Sequence, residues 1–109
     1  MMMEIPDEIF DRAFAIYEEF GPNRLIDRRE RLEAELGIHS PENLDRILEC
    51  MKEISTTIWE IARQGGEIKL GKDKVIERIQ DPHPYLKGEG LQKAIFLVNY
   101  FAWHDGFDV

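Results

Sequence analysis

The sequence predicts an all-α domain, a small bundle of about four to five helices, on three observations. Four stretches repeat apolar residues at intervals of three and four. Proline and glycine fall where those stretches begin and end. The one alternating stretch, Glu67-Ile68-Lys69-Leu70, is too short to stand as a sheet without partner strands. The 109 residues are 43% apolar and 33% charged, enough hydrophobic material for one core. With no polar linker, internal repeat or low-complexity tract, residues 1–109 read as a single helical domain.

The first helix is expected from about Pro6 to Phe20. Pro6 suits a first turn, Asp7 and Glu8 favour its positive end, and Phe10, Ala13, Phe14 and Tyr17 recur on one face before Gly21-Pro22. A second, surface helix is expected over Asn23 to Leu36, with a thin stripe of Leu25, Ile26, Leu32 and Leu36 and Gly37 to end it. There Asp27 and Arg31 are spaced to pair at i, i+4. The third is the central helix: Ser40 caps it, Pro41 opens it, and Gly65-Gly66 closes it. Leu44, Ile47, Met51, Ile54, Ile58 and Ile61 form its stripe, widened by Leu48 and Ala62.

Glu67 to Leu70 reads as extended loop, followed by a short helix capped by Asp73 that runs through Gln80 with Val75, Ile76 and Ile79 inward. Pro82-His83-Pro84-Tyr85 is expected to be extended. The last helix begins near Gly88 to Leu91 and ends about His104, before Gly106. Its faces differ from the others. Leu91, Ala94, Ile95, Val98, Phe101 and Ala102 make one apolar side, and Phe96, Leu97, Tyr100 and Trp103 make the other apolar as well.

Charge and cysteine usage narrow the class of function. Twenty-two acids against 14 Lys and Arg give a net charge of -8, which repels phosphate backbones and anionic lipid and argues against a nucleic-acid or membrane partner. The single thiol, Cys50, forms no internal disulfide, so a reducing cytoplasm is expected. Met1-Met2-Met3-Glu4 lacks the basic start and apolar run of a signal peptide. The most apolar run, Ala94 to Trp103, is about half of the roughly 20 residues that span a bilayer.

Residues with chemical potential are few. His104-Asp105 can in principle ligate a divalent metal, with His83 or His39 and Asp108 as further donors. The dipeptide resembles the signature of HD-type metal-dependent phosphohydrolases. That family needs an earlier His and a later Asp on separate helices, and Asp108 is the sole acid downstream, so the resemblance covers two residues and implies nothing for others. No His-x-x-x-His or Cys-x-x-Cys spacing exists, so neither a dedicated metal site nor a cofactor is expected. Cys50 lies between Glu49 and Met51, an acidic setting that opposes a reactive thiolate, and reads as a small core hydrophobe. Ser55-Thr56-Thr57 lacks a glycine-rich elbow and reads as helix backbone bonding. Lys87-Gly88-Glu89-Gly90-Leu91 presents N–H groups as an anion loop does, but Glu89 stands where a phosphate would sit, so a flexible loop is expected. The acid pairs Asp7/Asp11 and Asp45/Glu49 read as solvated surface beside Glu8/Arg12 and Glu42/Arg46.

The feature that stands out is aromatic. Tyr85, Phe96, Tyr100, Phe101, Trp103 and Phe107 crowd the C-terminal part of the chain. Core packing is expected to take Phe101. Phe96, Tyr100, Trp103 and Phe107 are left as candidate interface residues, on a helix greasier than one small domain can enclose. The leading expectation is therefore a non-catalytic interaction or regulatory module that forms a homodimer, or binds a protein partner, through its last helix. Two rivals are a metal-binding or metal-dependent hydrolase-like protein using His104, Asp105 and His83, and an acidic decoy for a basic partner. The decoy rests on the segment through Phe20, which sets six acids against Arg12.

Overall fold

The computed structural model describes residues 5–18 and 27–109. Within them the chain is all-α, with six helices and no strand. Helix α1 (Asp7–Tyr17) starts directly after Pro6, with Asp7 and Glu8 in its first turn, and buries Phe10, Ala13, Phe14, Ile16 and Tyr17. The expected stop at Gly21-Pro22 and the segment Asn23 to Ile26 lie outside the described residues.

Helix α2 (Arg28–Leu36) begins later than its apolar pattern implies, because Asp27 caps it. The Asp27 carboxylate accepts from the N–H groups of Arg29 (2.9 Å) and Glu30 (3.2 Å). The expected role of Asp27 as a helical partner of Arg31 is corrected accordingly. Arg31 is itself buried, donating to the Ile16 carbonyl of α1 at 3.0 Å and reaching Glu35 at 3.5 Å. Leu32 is enclosed beside it, and Gly37 ends the helix at φ 67°.

Helix α3 (Pro41–Arg63) has the expected bounds, with Ser40 accepting from the Asn43 N–H. Its six stripe residues, Leu44 to Ile61, are all buried, and they form the centre of the core.

Three readings between Gly65 and Tyr85 are overturned. Glu67 to Leu70 is a short helix, α4 (Gly66–Leu70), not an extended loop. Two successive left-handed glycines, Gly65 (φ 102°) and Gly66 (φ 59°), reverse the chain, and Asn99 Oδ1 accepts from the Glu67 N–H at 3.0 Å. A side chain distant in sequence thus caps this turn, and Ile68 points to solvent. Helix α5 (Lys72–Gln80) follows Gly71 with no side-chain cap. Asp73 sits inside the first turn, where its charge favours the helix dipole without capping. Pro82 to Tyr85 turns instead of running extended: the Leu86 N–H donates to the His83 carbonyl at 3.1 Å, which drops Leu86 into the core.

Helix α6 (Glu89–His104) packs against α1, α3, α4 and α5. The body measures 46 × 30 × 18 Å, and 18 Å is about two helix layers at interaxial distances of about 8–10 Å. Among the described residues such a slab covers α6 on its inner sides and leaves Phe96, Tyr100 and Trp103 exposed on the outer one. Among the described residues no helix is long and apolar enough to cross a membrane.

Candidate protein-interaction face

Helix α6 divides its apolar residues by direction. Leu91, Ala94, Ile95, Leu97, Val98 and Ala102 are buried against the neighbouring helices. Leu97 thus belongs to the core and not to the outer side on which its spacing from Phe96 and Tyr100 places it. Phe96, Tyr100 and Trp103 are exposed by 55%, 40% and 67%. Their rings form one run along the helix. Phe96 stacks on Tyr100 (6.2 Å between centroids, 16°), and Tyr100 meets Trp103 at 6.2 Å and stacks on His104 at 5.6 Å.

Phe107 takes a different place. Gly106 (φ 73°) turns the chain after α6, and the Phe107 N–H donates to the Ala102 carbonyl at 2.8 Å. This lays the Phe107 ring edge-on to Trp59 of α3 at 5.7 Å, half-buried. Phe101 also meets the Trp59 ring edge to face, at 5.9 Å. Trp59 is 41% exposed and joins the aromatic surface, a participant that reading the last helix alone misses. Its signal in the sequence is its position: it adjoins Ile58 but lies off the α3 stripe, beside Glu60. Taking about 200 Å² for a whole aromatic side chain, these four exposed rings leave roughly 400 Å² in water. That lies within the roughly 300–600 Å² of the largest apolar patch on a typical monomer, which is often functional.

The candidate metal ligands are divided among different environments. His104 Nδ1 lies 3.7 Å from Asp105 Oδ1, both exposed at the C-terminal end of α6. His83 is buried, with both ring nitrogens engaged: Thr57 Oγ1 is 2.8 Å from Nε2 and the Tyr85 hydroxyl 3.3 Å from Nδ1. His39 is exposed, 3.1 Å from Glu33. Among the described residues no group of three or more His, Cys, Asp or Glu is placed to hold a metal ion.

Around His83 the loop and α3 form a closed polar chain of side chains. The Tyr85 hydroxyl also meets the Cys50 thiol, and the Tyr85 ring packs 4.9 Å from Phe10. Burial holds the His83 imidazole below its ordinary range, opposed by the Glu53 carboxylate. Burial likewise raises the Cys50 thiol and the Tyr85 hydroxyl, and nearby Glu53 adds to both. These shifts keep every member neutral. A neutral imidazole offers one donor and one acceptor, which its two neighbours use, so the cluster joins the loop to α3 instead of presenting a nucleophile.

The Lys87 to Leu91 loop does bind an anion, and the anion is the chain's own. The Asp11 carboxylate of α1 accepts from the N–H groups of Lys87 (2.9 Å), Gly88 (3.0 Å), Gly90 (3.1 Å) and Leu91 (3.3 Å). Asp11 is buried, so its reading as solvated surface is corrected: it caps α6 from another helix. The loop is correspondingly fixed where flexibility is the sequence expectation.

Compared with known proteins, the chain matches no family model, no curated protein and no solved structure.

Proposed function

We propose that this chain is a non-catalytic interaction or regulatory module that self-associates through the outer face of α6. The observation that carries the reading is the stacked run Phe96, Tyr100, Trp103, exposed on a helix whose other sides are buried. Aromatic side chains dominate binding energetics when they are desolvated at the centre of an interface. The polar chain at His83 and the capped loop at Asp11 use their chemistry internally, which favours binding over catalysis. The net charge of -8 disfavours nucleic acid or anionic membrane as the partner. A single thiol raised by its surroundings fits a reducing compartment such as the cytoplasm.

Size-exclusion chromatography with light scattering on the wild type and Tyr100→Asp tests the reading. A dimer that becomes a monomer in the variant, with helical circular dichroism unchanged, supports it. A monomeric wild type at every concentration overturns it.

A further inference from the structure

We infer that the segment from Asp81 to Gly88 is an acid-opened latch: a proton taken by His83 detaches the segment from α3 and withdraws the Lys87 and Gly88 N–H groups from Asp11. The segment is held to the body at few points. Asp81, Pro82 and Pro84 are exposed, while His83 and Leu86 are buried. Each point is tied to the next. Gln80 Nε2 of α5 donates to the Leu86 carbonyl at 2.9 Å, and the Leu86 N–H donates to the His83 carbonyl at 3.1 Å. The next two N–H groups, of Lys87 and Gly88, donate to Asp11 Oδ1 at 2.9 and 3.0 Å. A displaced His83 therefore pulls on the carboxylate that caps α6.

The hydrogen bonds explain why a proton opens it. A neutral ring needs one hydroxyl to donate and one to accept, whereas the cation needs both Thr57 and Tyr85 to accept. Tyr85 can then pass its hydrogen to the Cys50 sulfur. For Thr57 the fold provides no carbonyl: the hydroxyls of Ser55 and Thr56 donate to Met51 and Lys52 at 3.1 and 3.2 Å, and that of Thr57 is turned to His83 instead. The charge is opposed as well. Among the described residues no carboxylate pairs with the ring; the acid that faces it, Glu53 of α3, stands exposed in water. Its other titratable neighbours, Cys50 of α3 and Tyr85, are neutral. Gln80 of α5 and Phe10 of α1, which brace the segment, carry no charge, and Asp11 is already taken by backbone N–H groups.

Amide hydrogen exchange by NMR on the full chain, corrected for the intrinsic pH dependence of exchange, tests the latch. The Leu86, Lys87 and Gly88 amides are expected to exchange faster than those of Ile54 and Ile58, since the segment opens while α3 stays folded. From pH 7.5 to pH 5.5 their protection is expected to fall several-fold, up to about tenfold, the limit for a ring that titrates at 6.5 when open and is excluded from the proton when closed. In His83→Gln, whose amide takes no proton, that fall is expected to vanish. Loop protection equal to that of Ile54 and Ile58 at both pH values overturns the latch, because the segment then leaves only with the whole fold. Loop protection unchanged between the two pH values, or an equal fall in His83→Gln, overturns it too. Where His83→Gln fails to fold, the comparison of loop with α3 in the wild type still decides.

Discussion

Asp11 and Gly90 bring α1 and α6 together by an approach only glycine permits: a Cβ on Gly90 would stand 2.1 Å from the Asp11 carbonyl oxygen. The close approach delivers the Asp11 carboxylate to the open N–H groups at the start of α6. One residue thereby caps the helix that carries the aromatic face and sets its direction against α1. Gly90→Ala is expected to force the helices apart and cost about 3 kcal/mol, the upper range for overpacking. Urea unfolding monitored by circular dichroism measures it, and a loss under about 1 kcal/mol contradicts the approach described.

Asp11→Ala removes the cap without adding bulk. Four N–H groups lose their acceptor, two of them in buried surroundings. A loss of about 2–4 kcal/mol is expected, above the usual value for a single cap because buried donors left unmade carry their own penalty. Asp11→Asn keeps one acceptor oxygen and is expected to recover part of that loss. Equal stability of wild type and Asp11→Ala in the same urea titration would exclude the capping role.

His83 sets a pH dependence of known sign. Its imidazole is held neutral in the fold, below the 6.5 of an ordinary histidine, so the unfolded chain binds the proton first as pH falls. Stability present above that range is lost on acidification. Glu18 acts oppositely: burial raises its carboxyl above the ordinary carboxylate range, so the fold takes up its proton before the unfolded chain does as pH falls. Melting temperature is therefore expected to fall from about pH 7.5 to about pH 5.5 in the wild type, and to fall less in His83→Gln. An identical slope in both proteins removes His83 as the cause.

Cys50 is expected to react slowly with thiol reagents in the native state. Its thiol is partly buried, is raised by that burial and meets the Tyr85 hydroxyl, so little thiolate forms near neutral pH. Modification by an aromatic disulfide is expected to be at least about tenfold slower than for the urea-unfolded chain. Equal rates would mean that the polar chain at His83 opens freely.

Two isoleucines separate core from surface. Ile58 is enclosed, and Ile58→Ala is expected to cost about 3 kcal/mol. Ile68 on α4 is 73% exposed, and Ile68→Lys is expected to stay within about 0.5 kcal/mol of the wild type. A large loss at Ile68 would contradict its exposed place on α4.

What was legible in the sequence followed from local physics. The bounds of α3 are written by Ser40, Pro41 and the Gly65-Gly66 pair, and its buried stripe by apolar spacing, all within one turn of the residues concerned. The exposure of Phe96, Tyr100 and Trp103 was legible for the same reason, since opposite faces of one helix cannot all point inward in a thin body. What escaped depends on partners distant along the chain. Asp11 resembles any surface acid until α6 is placed beside it, Asn99 does not announce that it caps α4, and the His83 to Leu86 turn is fixed by Leu86 entering a core built from other helices. Trp59 joins the aromatic face only because Gly106 folds Phe107 back onto it.

Sedimentation equilibrium of the wild type and Trp103→Asp, from micromolar to hundreds of micromolar chain, tests the role of the α6 face most directly. The wild type is expected to approach twice the 12.8 kDa chain mass as concentration rises, while Trp103→Asp stays at the mass of one chain with the same helical content. A wild type that holds the single-chain mass throughout, or a variant that dimerises as strongly as the wild type, would contradict it.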